Sequence, residues 1–198
     1  GSNHSLFVKT DGMLWAMGSN SNGQLGDGSI IDRSIPVPVA ANVQEVAHGI
    51  GLAVLVTIMM PISGGHLNPA VSIALWIGNV IDAKTLGRYV AAQLLGAIVG
   101  ALLIKGLFPA SLVRISSLGT PQLSGAIGLF EGIALEALFT FILVSAVFGT
   151  AVSPQAQRVG GFGIGLALLV CALGGGALTG AALNPARAFG PALVSWDW

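Results

Sequence analysis

The sequence predicts a mostly α-helical, polytopic membrane fold built from two internal repeats and preceded by a short β-rich segment. Three observations carry this. First, 54% of the 198 residues are hydrophobic and only 8% are charged, where a soluble domain spends about a quarter of its residues on charge. Second, residues 49–62, 85–110, 126–152 and 159–178 are apolar, Gly-rich and nearly uncharged. Third, Gly49-Ile-Gly-Leu-Ala-Val-Leu-Val56 recurs as Gly163-Ile-Gly-Leu-Ala-Leu-Leu-Val170, seven of eight identical at an offset of 114. Each copy leads through a Gly-rich stretch into Leu-Asn-Pro-Ala, at 67–70 and at 183–186, now offset by 116. Paired hydrophobic units, each with a Gly-interrupted segment, mark repeat-built membrane proteins.

Composition also excludes several classes. Eight basic residues balance eight acidic ones, so there is no electrostatic footprint for nucleic acid, and the apolar content excludes disorder. One cysteine, Cys171, makes neither an internal disulfide nor a zinc cluster. No cofactor is expected, and the start lacks the pattern of a secretory signal.

Residues 1–47 hold six of the sixteen charges and no long apolar run. Leu6 and Val8, then Leu14 and Ala16, alternate as short strands about an Asp11-Gly12 turn. The stretch 49–62 is marginal as a span: its 14 uninterrupted residues reach about 21 Å, and extension backwards meets Glu45, Gln44 and Asn42. The other three stretches are long enough for a bilayer core of about 30 Å.

Asn is among the best N-cap residues and Pro is favoured at the first helical position, so each Asn-Pro-Ala reads as a helix start. From Pro69 to Ile77 such a helix is about 14 Å long, half a bilayer core; the second runs from Pro185 towards Ser195. Residues 63–66 and 179–182 are then irregular strands, tolerated at membrane depth only when buried or lining a watery cavity. An odd number of helices per unit inverts the two copies. Both positive helix N-termini then meet near the midplane, a point that repels cations and protons.

With Ser63-Gly-Gly-His-Leu-Asn-Pro-Ala-Val71 and Asn184-Pro-Ala-Arg-Ala-Phe-Gly-Pro191 as signature boxes, residues 47–198 resemble the aquaporin (major intrinsic protein) family. The resemblance implies a channel of inverted repeats with six spans and two re-entrant half-helices, usually tetrameric with one pore per subunit. It implies a proton-excluding single-file pore for water and small neutral solutes, held in a lipid bilayer. The boxes Asn68-Pro69-Ala70 and Asn184-Pro185-Ala186 would orient the water, with carbonyls of Gly64, Gly65, His66, Gly180, Ala181 and Ala182 along the file. By spacing from the boxes, the four selectivity-filter positions fall on His48, Ala172, Ala181 and Arg187. Strict water channels commonly carry His at the Ala172 position and Phe at the His48 position, so the filter resembles the wider, tonoplast-like members. Ala188 stands where glycerol facilitators typically have Asp, which ranks water first.

Glu136 matches the family's buried acid that accepts hydrogen bonds from re-entrant backbone. Glu131 and Lys105 read as snorkelling span-end charges. His66 reads as a loop brace, since no other ligand lies at metal spacing; Cys171 reads as a packed thiol or, if it faces the pore, a mercurial target.

Subtracting the repeat offset from the span 126–152 lands on residues 12–38, which cannot cross a bilayer, and the span 85–110 has no counterpart after Trp198. The expectation is therefore a fold without the first and sixth helices. The segment that stands in place of the first, His4-Ser-Leu-Phe-Val-Lys-Thr-Asp-Gly12 and Leu14-Trp-Ala-Met-Gly18, resembles one repeat of the RCC1 propeller family. This divides the chain into 1–46 and 47–198. A lone blade has no neighbour to bury its faces and is expected to be unfolded. By resemblance the blade and Trp198 lie outside, with Lys84, Arg88 and Arg158 inside against Lys105 and Arg114 outside, an agreement with the positive-inside rule by one residue. The alternative to a channel is a non-conducting membrane anchor with the blade as interaction module. No constellation for an intramembrane enzyme is present.

Overall fold

The computed structural model describes residues 3–9, 12–22, 24–27, 29–40, 43–156 and 159–197, and leaves the side chains of residues 40, 43–45 and 115 outside the description. Asp11 of the expected turn, Asn42, Arg158 of the charge comparison and Trp198 lie outside the described residues. The chain divides into two units, Gly1–Ala47 and His48–Trp198.

In the first unit, β1 (His4–Val8), β2 (Leu14–Gly18) and β3 (Arg33–Ala40) form an antiparallel sheet in the order β1-β2-β3. Leu6 pairs with Ala16 and Val8 with Leu14, the alternation read from the sequence. The third strand is not legible because it contains Pro36 and Pro38, and proline removes the N–H a ladder needs. β3 is an edge strand, where that loss is tolerated. The segment forms this sheet together with a buried polar knot. Asn20 is fully buried; its N–H donates to Asp32 Oδ1 at 2.6 Å, its amide donates to Asp27 Oδ1 and Ser29 O, both at 3.0 Å, and its Oδ1 accepts from the Leu25 N–H at 2.9 Å. Arg33 Nε closes this knot on Asp27 Oδ2 at 2.7 Å. The Ser29 hydroxyl, followed by Arg33, holds the Asp27 carboxyl well below the usual carboxylate range. Ala16 and Leu25 are buried beside it.

The apolar stretches are helices: α1 (Val43–Ser63), α3 (Ala83–Leu107), α5 (Leu129–Val147, continued by a π-turn Phe148–Val152) and α6 (Gly160–Thr179). Two short helices, α2 (Pro69–Ile77) and α7 (Pro185–Ser195), begin at the two Asn-Pro-Ala boxes, and α4 (Ala110–Ile115) leads into a 3-10 turn, Ser117–Gly119. Among the described residues, four helices are long and apolar enough to cross a membrane. The marginal first stretch gains its length because the helix extends through polar Glu45 and Gln44 to 21 residues. Its end is set by Gly64 and Gly65, whose φ of +76° and +65° leave the helical region at the residue type that does so without steric cost.

Small residues let these helices approach closely. A Cβ on Gly165 would lie 2.5 Å from the Gly49 carbonyl, and one on Gly161 would lie 2.5 Å from that of Ala53, so α1 and α6 meet backbone to backbone. Gly190 likewise seats α7 on Ala97 of α3. The core gathers Val56, Leu75, Phe139, Leu143, Ile164 and Leu168 from α1, α2, α5 and α6. Outward faces stay apolar: Phe130 and Phe141 of α5 are 80% and 68% exposed, as lipid-facing side chains are.

Candidate functional site

The two boxes do the same thing locally. Asn68 caps α2 in an extended conformation, its Oδ1 accepting from the Ala70 N–H at 2.8 Å. Asn184 caps α7, its Oδ1 accepting from Ala186 and Arg187 at 3.0 and 3.3 Å. With each oxygen turned to its own helix, each amide nitrogen faces the other box. Asn68 Nδ2 donates to Leu183 O and Asn184 Nδ2 donates to Leu67 O, both at 2.9 Å. Leu67 and Leu183 hold left-handed φ of +49° and +47°, and this pair of unfavourable backbones presents the two accepting carbonyls. The exchange relates residues one repeat apart, and it joins the starts of the half-helices.

An Asn amide has two N–H groups, so one on each nitrogen is left over. Both Asn68 and Asn184 line a cavity of about 330 Å³. Gly64, Gly65, His66 and Ala182 of the two loops also line it, as do the apolar Val56, Leu143, Ile164 and Leu168. His48 and Arg187 also line it, and among the described residues no acidic one does. Two helix N-termini and a guanidinium around a cavity without carboxylates give a positive interior.

Of the expected filter positions, the cavity brings together His48 and Arg187 but not the two alanines. Ala172 and Ala181 are 4% and 2% exposed, packed in the core and not among the lining residues. Gly180 is also outside the lining; it ends α6 at φ +77°, where a Cβ would meet Pro121. Cys171 is buried with its thiol 3.8 Å from Phe139 O, away from the cavity. Lys105 donates to Val194 O at 3.2 Å, near the end of α7, rather than only reaching outward.

The loop before α7 is held by one carboxylate. Glu136 Oε1 accepts from Thr179 Oγ1 at 2.6 Å and from the Ala182 N–H at 2.9 Å, and Oε2 accepts from the Leu183 N–H at 2.9 Å. The loop before α2 is held differently, by residues the sequence reading missed. Tyr89 Oη donates to Ser63 O at 2.5 Å, and its ring stacks on His66 with centroids 4.3 Å apart. Gln93 Nε2 donates to the fully buried Ser72 Oγ at 3.0 Å, and His66 Nδ1 lies 3.1 Å from that same oxygen. Tyr89 and Gln93 are one turn apart in the span, where residues 94–104 are wholly apolar; that spacing, which places both on one helix face, was the available signal.

Arg187, at the third position of α7, donates from Nη1 to Gly119 O at 2.9 Å. Together with Asn184 it also lines a second cavity, of about 570 Å³, against Tyr89, Gln93 and Gly96 of α3.

Comparison with known proteins agrees with this architecture. The family model described as "Major intrinsic protein" matches residues 14–198, and that of the "Regulator of chromosome condensation (RCC1) repeat" matches residues 1–24. The first match begins well before residue 47 and takes in the stretch that folds as β2 and β3. Aquaporin TIP4-1 of Zea mays is 36% identical over 98% of this chain and 71% of its own length. Aquaporin TIP1-1 of Zea mays is 39% identical over 81% of this chain, which spans 63% of that protein's length. Among solved structures, the aquaglyceroporin from Plasmodium falciparum superposes with a TM-score of 0.69 at 29% identity, covering 76% of this chain and 65% of that one. The chain belongs to the major intrinsic protein, or aquaporin, family of integral membrane channels.

Proposed function

We propose that this chain forms a passive, proton-excluding pore for water and small neutral solutes. One observation carries the reading: the reciprocal Asn68–Leu183 and Asn184–Leu67 bonds leave one N–H of each amide for the cavity between the half-helices. A water oxygen that accepts from both amides has its hydrogens turned away from both N-termini, so neighbouring waters cannot pass a proton through it in one direction. The positive interior opposes hydronium and metal cations on the same path.

In this reading Arg187 and His48 set the width on one side of the Asn pair, with the carbonyls of Gly64, Gly65 and His66 as stepping acceptors on the other. Glu136 is a structural acid that fixes the second loop. Ala172 and Ala181, packed in the core beside the cavity rather than lining it, leave the width to Arg187 and His48. Assembly into tetramers, which the sequence resemblance implies, belongs to the same proposal.

Stopped-flow osmotic shrinkage of liposomes holding the purified chain tests the reading. Asn184→Asp keeps the helix cap but removes the donor to Leu67 and adds a negative charge at the meeting point. Wild type is expected to shrink much faster than protein-free vesicles, and Asn184→Asp to lose most of that excess. Equal rates for wild type and bare lipid would reject a pore and leave the membrane-anchor reading, for which the RCC1-repeat match over 1–24 and the ordered sheet speak.

A further inference from the structure

The first unit carries an apolar ribbon that its own sheet does not cover. Ile30, Ile31 and Ile35 are 72%, 63% and 70% exposed, and Pro36 and Pro38 beside them are exposed as well. Single apolar side chains on a surface need no explanation, whereas a contiguous apolar stretch marks an interaction or membrane site. Residues 29–40 contain two charges, Asp32 and Arg33, and both are engaged in the polar knot. Asp32 Oδ1 accepts from the Asn20 N–H at 2.6 Å, and Arg33 Nε donates to Asp27 Oδ2 at 2.7 Å. The ribbon is therefore apolar, and its charges are already partnered.

The backbone of the same strand restricts what can dock on it. The bonds Lys9 N–H to Met13 O and Ser19 N–H to Asn3 O set the alternation: odd-numbered residues of β1 and β2 turn their backbone groups towards each other. Ala16 then turns towards β3, where its partner is Val37. By the same alternation the backbone nitrogens of Pro36 and Pro38 point out of the sheet. Those are the positions at which an edge strand leaves N–H groups unpaired, and proline carries none. A strand from another protein or from a second copy needs such donors to extend the sheet, and this edge does not supply them. At β1 the opposite holds, since His4, Leu6 and Val8 turn their N–H groups outward. A lipid surface requires no donors, and stranded N–H groups are what it penalises. The Pro36 and Pro38 carbonyls can still accept from water in the headgroup layer.

The chain also keeps this strand beside a bilayer. β3 ends at Ala40, and α1, which is long and apolar enough to cross a membrane, begins at Val43. Those three Cα steps reach at most about 11 Å, comparable with a headgroup layer about 5–8 Å deep on each side of the apolar core. Apolar exposure thus continues along the chain from β3 into α1, whose Ile50 and Val54 are 57% and 52% exposed.

We infer that β3 and the residues before it form a lipid-contacting foot, with Ile30, Ile31 and Ile35 entering the headgroup boundary of the bilayer that α1 crosses. The partner is the lipid surface itself, recognised by apolar area and not by charge, so the contact is indifferent to anionic lipid. The inference does not rest on conduction.

Site-directed fluorescence in liposomes of the full chain tests it. A Cys171→Ala background leaves each introduced thiol as the single labelling site. An NBD probe at Ile31→Cys is compared with one at Ser5→Cys, on the opposite edge strand of the sheet. With a spin label on the phosphatidylcholine headgroup, the probe at position 31 should be blue-shifted and quenched, and the probe at position 5 should emit as in water. Adding Ile30→Ser and Ile35→Ser should lower the docked-to-undocked ratio at position 31 at least about ten-fold, the factor carried by burial of one isoleucine side chain. Both residues are exposed, so these changes spare the sheet. Equal quenching at the two positions, or quenching at 31 that survives both serines, overturns the inference. A blue shift at 31 that spin-labelled lipid does not quench, and that grows with the protein-to-lipid ratio, would mean that a second copy covers the ribbon, and overturns it too. The unlabelled wild-type chain gives an independent reading: with a lipid bearing a headgroup diazirine, adducts mapped by mass spectrometry should fall on residues 29–40 and not on 3–9, equally in neutral and anionic liposomes. Adducts confined to the membrane-crossing helices would reject the foot. A chain that conducts no water would reject the pore and leave these results unchanged.

Discussion

The two loops that enter the half-helices carry the same ending and are supported by opposite chemistry. One repeat apart, Gly64 and Gly180 have φ of +76° and +77°, and Leu67 and Leu183 have +49° and +47°. The backbone path and the Asn exchange are thus nearly duplicated. The supports are not: before α7 a carboxylate on α5 receives two N–H groups, whereas before α2 a phenol on α3 donates to a carbonyl. The tripeptide and its preceding glycines dictate the local path, and the packing partners are free to differ as long as the buried polar groups are satisfied.

The largest effect is expected where the second loop loses its acid. Glu136→Leu strands the N–H groups of Ala182 and Leu183 and the Thr179 hydroxyl, each costing about 1–3 kcal/mol when buried without a partner. Unfolding in mixed micelles should show a loss no single substitution at Tyr89 or Gln93 matches, and Glu136→Gln, which keeps one acceptor for the backbone, should restore part of it. A loss no larger than that of Tyr89→Phe would break the comparison.

Next comes a position where both paths keep a left-handed φ but differ in residue type. Gly65 at φ +65° corresponds to Ala181 at φ +41°. A Cβ on Gly65 would lie 3.0 Å from Val56 O, so Gly65→Ala should cost about 1–3 kcal/mol, the range for a residue held in a sparsely populated backbone region. Ala181→Gly gains backbone ease and loses a buried methyl, and its midpoint should hardly move. Tyr89→Phe removes one hydrogen bond while keeping the stack on His66, so about 1 kcal/mol is expected in the same titration.

The smallest effect lies at the start of α3, the helix that carries the first loop's support. Asp82 Oδ1 accepts from the Thr85 N–H at 2.6 Å, and this bond, with the Thr85 hydroxyl behind it, holds the carboxyl below the usual range. A lowered folded value means the contribution is complete above the unfolded value of about 3.9 and is lost as pH falls through the lower folded value. Thermal midpoints should be flat from pH 7 to about pH 5 and fall below about pH 4. Asp82→Asn, which caps without titrating, should flatten that fall.

Most of this architecture was legible because it is local. The starts at Pro69 and Pro185 follow from Asn capping and proline's fixed φ, and the spans follow from length and hydropathy alone. Glu136 was singled out through the family resemblance rather than from its surroundings, since Glu131 is a charge in the same apolar run. The partners of the first loop were not, because Tyr89 and Gln93 are reached only when α3 packs beside α2. The Gly119 carbonyl was invisible in principle, since a backbone oxygen has no letter in the sequence. β3 was missed for a simpler reason: prolines at 36 and 38 argue against a strand unless one knows it lies at an edge.

The proposed pore passes water between the half-helices and excludes protons. Proteoliposomes with an entrapped pH dye allow shrinkage by light scattering and collapse of a pH gradient to be followed on the same preparation. Shrinkage should be fast with a low activation energy, and abolished by replacing both Asn68 and Asn184 with leucine, beside a proton leak equal to that of protein-free vesicles. Shrinkage no faster than bare lipid, or a proton leak that rises in step with water flow, would contradict the proposed pore.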